Sequence, residues 1–181
     1  RVRLCAVVDE ATINEVLTND VIKERVTLWD KERKDFVERV TVKLDRMRLS
    51  EESRRPSPND STVTAIMEFL VQQRLAPLPW TSATSELRAR ISFLRREIGE
   101  PWPDWSDKAL IATSQDWLRP YLAGMTSIND IKELNLGMLL RSQLPWPEGG
   151  QIDDLVPNTL ELASGRSLPI DYASAVKEGT A

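Results

Sequence analysis

Apolar and polar positions alternate along the first 50 residues of this chain, a pattern that predicts β-strands. The apolar positions change parity after Leu44, because the next ones are Met47 and Leu49. A strand has a period of two, so this change predicts a bulge or a turn at Asp45 and Arg46. The predicted elements are a strand, a helix and two further strands, at residues 1–8, 9–18, 21–29 and 36–44.

Beyond residue 60 the apolar spacing changes to three and four, which is typical of amphipathic helices. The clearest helix carries Leu87, Ile91 and Leu94 on one face, with Thr81 or Ser82 as its N-cap and Gly99 as its stop signal. Within it, Glu86 is placed to pair with Arg90. Further helices are predicted to start at Asp60 or Ser61, at Ser106 and at Ser127. The helix capped by Ser106 is predicted to run to Arg119.

The last apolar positions predict a β-hairpin, since Leu160 and Leu162 precede Ser164-Gly165 and a strand through Ile170 and Tyr172 follows it. The fold class is therefore α+β: an N-terminal partial OB-like antiparallel β module, then a mainly helical domain that ends in the hairpin. A segment rich in Ser, Pro and charge, EESRRPSPN, marks the boundary. The predicted domains are a β module at 1–52, a linker at 53–60 and a helical domain at 61–181.

Composition excludes several kinds of chemistry. The chain has one cysteine and no histidine, so a thiolate metal site and Ser-His or Cys-His catalysis are excluded. No stretch has the length and apolar content of a membrane span, and the first residues do not follow signal-peptide order. We therefore expect a cytoplasmic protein without a membrane partner.

Charge is unevenly distributed. Residues 99–181 contain 6 Lys and Arg against 12 Asp and Glu, and the net charge is −4. Binding to a polyanion depends on counterion release by Lys and Arg, so this balance disfavours a free-standing nucleic-acid binder. Any contact with RNA must be local.

Residues 78–124 contain four of the six tryptophans in an unusual order of motifs. A Leu-Pro-Trp entry leads to a basic helix, then to the turn Pro-Trp-Pro-Asp-Trp-Ser-Asp, and then to Asp-Trp-Leu-x-Pro-Tyr-Leu-x-Gly. Together with Leu144-Pro145-Trp146 and residues 158–172, this order resembles the C-terminal accessory region of HrpB-type bacterial DEAH-box helicases. The chain departs from that family at Pro157-Asn158-Thr159-Leu160, where members commonly show Pro-Thr-His-Leu.

The resemblance implies a parent ATP-dependent RNA helicase that uses ATP and Mg²⁺ and translocates 3′ to 5′ on single-stranded RNA. Its RecA-like motor domains would lie upstream in the same chain, and this region would pack on them and help to cover the RNA. The printed sequence has no GxxxxGK[ST] phosphate loop and no DEAH box. We therefore expect neither catalytic residues nor a bound cofactor in this region itself.

Six basic residues are the candidates for RNA backbone contact, because guanidinium and ammonium groups spaced along one face can meet successive phosphates. The first group shares one helix, where the alternative is a solvated face or salt bridges to the acidic last third. The second lies on a strand face around Thr41, with Trp29 as its only possible aromatic companion. The candidates are Arg88, Arg90, Arg95 and Arg96 in the first group and Arg39 and Lys43 in the second.

The tryptophans could stack on bases, but their proline neighbours and helical phase favour packing in the core or at a domain interface. Paired carboxylates such as Asp104 with Asp107 lie where a helix starts, which favours a structural role over a hydrolytic one. A second function class stays open: a protein-interaction scaffold without nucleic-acid affinity, whose acidic last third and Trp-Pro turns dock a partner.

Overall fold

A computed structural model describes residues 21–44 and 46–178. The strand predicted at 1–8 and the helix predicted at 9–18 lie outside these residues, as does Asp45.

The described part is α+β, as predicted. Its strands are β1 (Val21–Asp30), β2 (Asp35–Leu44), β3 (Met47–Arg54), β4 (Thr159–Glu161) and β5 (Ser167–Pro169). Its helices are α1 (Asp60–Gln72), α2 (Ser82–Glu97), α3 (Asp107–Ala112), α4 (Ser114–Trp117), α5 (Ile128–Lys132), α6 (Leu136–Arg141), α7 (Ile152–Leu155) and α8 (Tyr172–Glu178), with 3-10 turns at Arg119–Leu122 and Glu148–Gln151.

The first three strands form an antiparallel sheet in the order β1-β2-β3. The chain reverses between Leu44 and Met47, where a turn is predicted, and the β2–β3 register also shifts between Val42 and Lys43. Val42 pairs with Ser50 but Lys43 pairs with Arg48, so one residue of β3 has no partner. The turn and this bulge together account for the parity change. The OB-like character of the module stays a prediction.

An aromatic cluster joins the sheet to α1. Trp29 stacks on Phe69 with ring centroids 4.1 Å apart, and Phe36 meets both rings edge-on at 5.2 and 5.3 Å. Beside them the hydroxyl groups of Thr27 and Thr62 are hydrogen-bonded at 3.2 Å. Aromatic pairs of this geometry stabilise a contact beyond the area that they bury, so the sheet is held firmly against the helical part.

Three helix boundaries differ from those predicted. The N-cap of α1 is Asn59, whose side chain accepts from the Thr62 amide, rather than Asp60 or Ser61. The single helix predicted from Ser106 is divided at Thr113 into α3 and α4, and a 3-10 turn follows at Pro120, which has no N–H to continue an α-helix. Tyr172 begins α8 rather than extending β5, with the Asp171 carboxylate accepting from the amides of the following turn.

The segment between sheet and helices is shorter than its composition indicates. Glu51 to Arg54 are the last residues of β3, where Arg54 pairs with the buried Glu38 at 2.5 Å. Only residues 55–59 therefore connect the last strand to α1. The division of the chain into domains stays a prediction.

The helices enclose one apolar core. Leu87, Ile91 and Leu94 of α2 point into it, and Thr81 and Thr84 form a capping box at the start of that helix. Trp102, Trp105 and Trp117 are buried in the same cluster, which confirms the packing predicted for them. Gly99 has φ +86°, a left-handed conformation that ends α2. No helix within the described ranges has the length and apolar content needed to cross a membrane.

Ile66→Ala tests this core. Ile66 is 0% exposed in the middle of α1, so truncation should lower the free energy of unfolding by about 2 to 5 kcal/mol. Glu68→Ala is the matched control, because Glu68 is exposed on the same helix; it should change stability by less than about 0.5 kcal/mol. Urea denaturation followed by circular dichroism measures both, and equal effects would contradict the packing described for α1.

Candidate functional site

The predicted basic face of α2 is turned toward neighbouring backbone. The Nε atom of Arg88 donates to the carbonyl oxygen of Trp105 at 2.6 Å, and its Nη2 atom contacts Asp107 Oδ1 at 2.7 Å. The guanidinium group also lies 5.7 Å from the centre of the Trp80 ring. Arg88 therefore joins the start of α3 to the Leu-Pro-Trp entry.

Arg95 and Arg96 act in the same way at the end of the helix. Arg95 Nη1 donates to the carbonyl of Trp102 at 3.0 Å. Arg96 Nη1 donates to the carbonyl of Ala175 at 2.6 Å and to that of Val176 at 3.2 Å, which ties α8 to α2.

Arg90 is the most enclosed of the four, with 3% of the residue exposed. Its Nε atom donates to the Val156 carbonyl at 2.6 Å, and its Nη2 atom donates to the Ile152 carbonyl at 3.1 Å and to Asp153 Oδ1 at 2.6 Å. The predicted pairing of Arg90 with Glu86 is wrong, because the guanidinium group of Arg90 is turned toward the α7 segment. Hydrogen bonding from Arg90 is the main cause that lowers the pKa of Asp153 below its ordinary 3.8, against a smaller opposing effect of burial.

Each of the four arginines therefore donates to an acceptor in the acidic last third, and Arg88 and Arg90 form the salt bridges named above as the alternative. Arg90 is closed off from solvent, whereas Arg96 is exposed. Whether any of them contacts RNA stays a prediction. Helical spacing placed these side chains together, but it could not reveal which backbone lies opposite them.

The second predicted group lies on the face of β2 that is turned away from α1. Lys43 Nζ pairs with Glu24 at 2.6 Å, and Arg39 Nε lies 3.4 Å from Glu51. Trp29 is on the other face, stacked on Phe69, so it is not their aromatic companion. Basic charge on this face is balanced by neighbouring carboxylates.

Two clefts contain residues that sequence reasoning did not bring together. The sheet-edge cleft lies between the β1–β2 turn, the end of β3 and the entry to α5, and it includes Arg33, Arg54 and Arg55. The only sequence signal was the Arg54-Arg55 pair in the segment interpreted as a boundary. The aromatic cleft lies beside the Trp-Pro turn and is lined by Pro103, Asp104, Asp116, Trp117, Pro120 and Tyr121, among others.

No group of three or more His, Cys, Asp or Glu side chains within residues 21–44 and 46–178 is placed to hold a metal ion. Asp104 instead accepts a hydrogen bond from the Ser106 amide at 2.8 Å. Asp107 contacts Arg88 in the first turn of α3, so the structural interpretation of this carboxylate pair fits its surroundings.

Part of the chain matches a known family, and most of it is similar to one curated relative. The family described as ATP-dependent helicase C-terminal, HrpB_C, matches residues 117–180. The ATP-dependent RNA helicase HrpB of Escherichia coli (strain K12) is 28% identical over 119 residues, which are 65% of this chain and 15% of the relative. The chain thus spans less than a fifth of that relative's length.

Two solved structures have a similar fold. The crystal structure of E. coli DExH-box NTPase HrpB matches 91% of this chain and 20% of its own length, at a TM-score of 0.61 and 21% identity. The crystal structure of E. coli DEAH/RHA helicase HrpB matches 85% of this chain and 20% of its own, at a TM-score of 0.61 and 22% identity. As the resemblance predicted, residues 117–180 match the HrpB_C family, and the chain is similar in sequence and fold to part of HrpB.

Arg90→Met tests the role of the buried guanidinium group. The change keeps most of the side-chain volume but leaves the Ile152 and Val156 carbonyls without these donors. Each unsatisfied buried acceptor costs about 1 to 3 kcal/mol, so stability should fall by about 2 to 4 kcal/mol. Arg96→Met, at an exposed position, should cost less than about 1 kcal/mol. Equal losses in urea denaturation would show that Arg90 does not have this role.

Asp153→Asn tests the ion pair through pH. The pKa of Asp153 is lowered in the folded chain, so its stabilising effect is complete above the unfolded pKa, near 3.9, and is lost as pH falls through the folded pKa. The Asp153 side chain is 75% exposed, which keeps the effect small. The stability difference between the native chain and the variant should therefore be greatest near about pH 6 and vanish toward about pH 2. A difference independent of pH would contradict the pairing.

Proposed function

We propose that this chain is a non-catalytic C-terminal accessory region of an ATP-dependent RNA helicase, which packs on the motor domains and helps to cover or contact single-stranded RNA. The observation that supports it most is the match of fold over 91% of the chain to an HrpB structure, together with sequence similarity to a curated HrpB. ATP and Mg²⁺ would be bound by upstream RecA-like domains in the cytoplasm, since the printed sequence has no phosphate loop.

The packing of α2 fits an accessory role. Its arginines donate to carbonyl groups of the segments at α3, α7 and α8, so these three segments are bonded to one helix. Exposed apolar side chains are available for contact with motor domains. Trp146 is 88% exposed, and Leu160 and Leu168 of the hairpin pair across its exposed face. A large exposed tryptophan is a common interface anchor.

The alternative is an interaction scaffold without nucleic-acid affinity, and the aromatic cleft is the observation that favours it. The Asp116 carboxylate makes no ion pair or hydrogen bond to any described residue, and Tyr121 is an exposed ring in the same cleft. A carboxylate next to an aromatic face suits a cationic side chain of a protein partner rather than a phosphate.

Single-stranded RNA binding by the 181-residue chain separates these functions. We expect measurable affinity at about 50 mM salt, and the logarithm of the affinity should fall linearly with the logarithm of salt, by about 0.7 for each phosphate bound. Arg39→Ala with Lys43→Ala should reduce the slope by about 0.7 for each phosphate that the variant no longer binds. Fluorescence anisotropy with a labelled RNA measures the series.

Circular dichroism of each variant provides the folding control. No binding at low salt would exclude the RNA contact and leave the scaffold function. Binding with an unchanged slope in the double variant would remove Arg39 and Lys43 from the contact while keeping the accessory role.

A further inference from the structure

The sheet-edge cleft is formed by side chains from three separate places in the chain. Arg33 comes from the β1–β2 turn, Arg54 and Arg55 from the end of β3, and Thr126 and Asn129 from the entry to α5. Its volume of about 440 Å³ is within the range of small-ligand sites. Among the lining residues the three arginines face one carboxylate, that of Asp35.

The carboxylates around this cleft are bonded to the backbone. Asp35 Oδ1 accepts from the amides of Phe36 and Ile128 at 2.9 and 2.8 Å, which docks the start of α5 on the sheet. Asp130 Oδ2 accepts from the amides of Thr126 and Ser127 at 2.8 and 2.9 Å. These acids reduce the positive potential, but part of their hydrogen-bonding capacity is used within the fold.

Asp30 behaves similarly, since its Oδ1 atom accepts from the amides of Glu32 and Arg33 at 2.9 and 3.0 Å. Glu38 is buried and pairs with Arg54. Of the three arginines, Arg54 is therefore the one that forms an ion pair with a described carboxylate, while the charges of Arg33 and Arg55 interact at longer range with Asp30 and Asp130.

The other two guanidinium groups retain most of their donors. The Arg33 guanidinium makes no hydrogen bond or ion pair to a described residue, and Arg55 makes a single long one, from Nη2 to Thr126 Oγ1 at 3.4 Å. A guanidinium has five N–H donors in a planar fork that matches two oxygens of a phosphate. Two such groups that share a cleft with a hydroxyl and an amide form a donor set suited to a phosphodiester.

We propose that the sheet-edge cleft binds a phosphate group of the backbone of single-stranded RNA, with Arg33 and Arg55 as its two principal donors. This rests on the proposed function, because the RNA contact of this region is itself a proposal. It moves that contact from the arginines of α2, which donate to carbonyl groups of the fold, to Arg33 and Arg55, which retain most of their donors. It also agrees with the need for a local contact in a chain of net charge −4.

The test is Arg33→Ala with Arg55→Ala in the 181-residue chain, compared with Arg46→Ala with Arg166→Ala. The control removes the same charge from two exposed arginines, one at the opposite end of β2 and one in the β4–β5 turn. Anisotropy with labelled single-stranded RNA is measured across a salt series, and poly-glutamate is the competing polyanion.

A variant that no longer binds two phosphates should have a salt slope lower by about 1.4 and should bind at least tenfold more weakly at about 50 mM salt, while the control stays within about twofold of the native chain. The double variant Arg33→Lys with Arg55→Lys keeps the charge but removes the guanidinium fork. Its affinity for RNA should therefore lie between those of the Ala variant and the control. Urea denaturation of each variant confirms that differences in binding are not differences in folding.

Three results would overturn the assignment, and they are distinguishable. If the native chain binds RNA and the cleft variant behaves as the control does, the cleft is wrong and the proposed function stands. If the native chain shows no RNA binding at low salt, both fail. If the cleft variant loses poly-glutamate binding but keeps RNA binding, the cleft binds an acidic peptide instead.

Discussion

Hydrogen bonds from the arginines of α2 to backbone carbonyls join three segments of the last 80 or so residues to one helix. That part of the chain is built from helices of four to seven residues, which are too short to be stable alone. The ends of such helices leave carbonyl groups without partners. Arg88, Arg95 and Arg96 supply donors to segments beside α3 and α8, and the buried Arg90 supplies them to α7. One regular helix thus stabilises several short ones.

The arginines of this chain differ in what their donors contact. A cation whose donors are bonded to carbonyls is a structural element even when it lies on a basic helix, whereas Arg33 and Arg55 keep free donors in a less conspicuous setting. The aromatic cleft around Asp116 and Tyr121 has the opposite chemical character. An accessory region that contacts both a nucleic acid and protein domains needs two such surfaces.

Apolar spacing, capping and turn residues were sufficient to predict the elements that a short stretch of sequence defines. The apolar spacing of α2, its cap at Thr81 and its stop at Gly99 agree with the structure, as does the hairpin around Gly165. One error arose where neighbouring capping residues competed, since Asn59 rather than Asp60 caps α1. Another is the helix predicted from Ser106, which is divided at Thr113. Propensity cannot choose between adjacent capping residues when packing determines the geometry of chain entry.

The sequence by itself determined the α+β class, the order of elements and, through its Trp-Pro motifs, the resemblance to HrpB-type helicases. Only the tertiary structure decided which arginines donate to carbonyl groups of the fold and which retain most of their donors. Arg90 meets Val156 across 66 positions of sequence, and Arg55 meets Thr126 across 71. Contacts of that separation depend on how helices and sheet pack in three dimensions, whereas periodicity and capping act over a few residues. The same residue type can therefore support the fold at one position and remain open to a ligand at another.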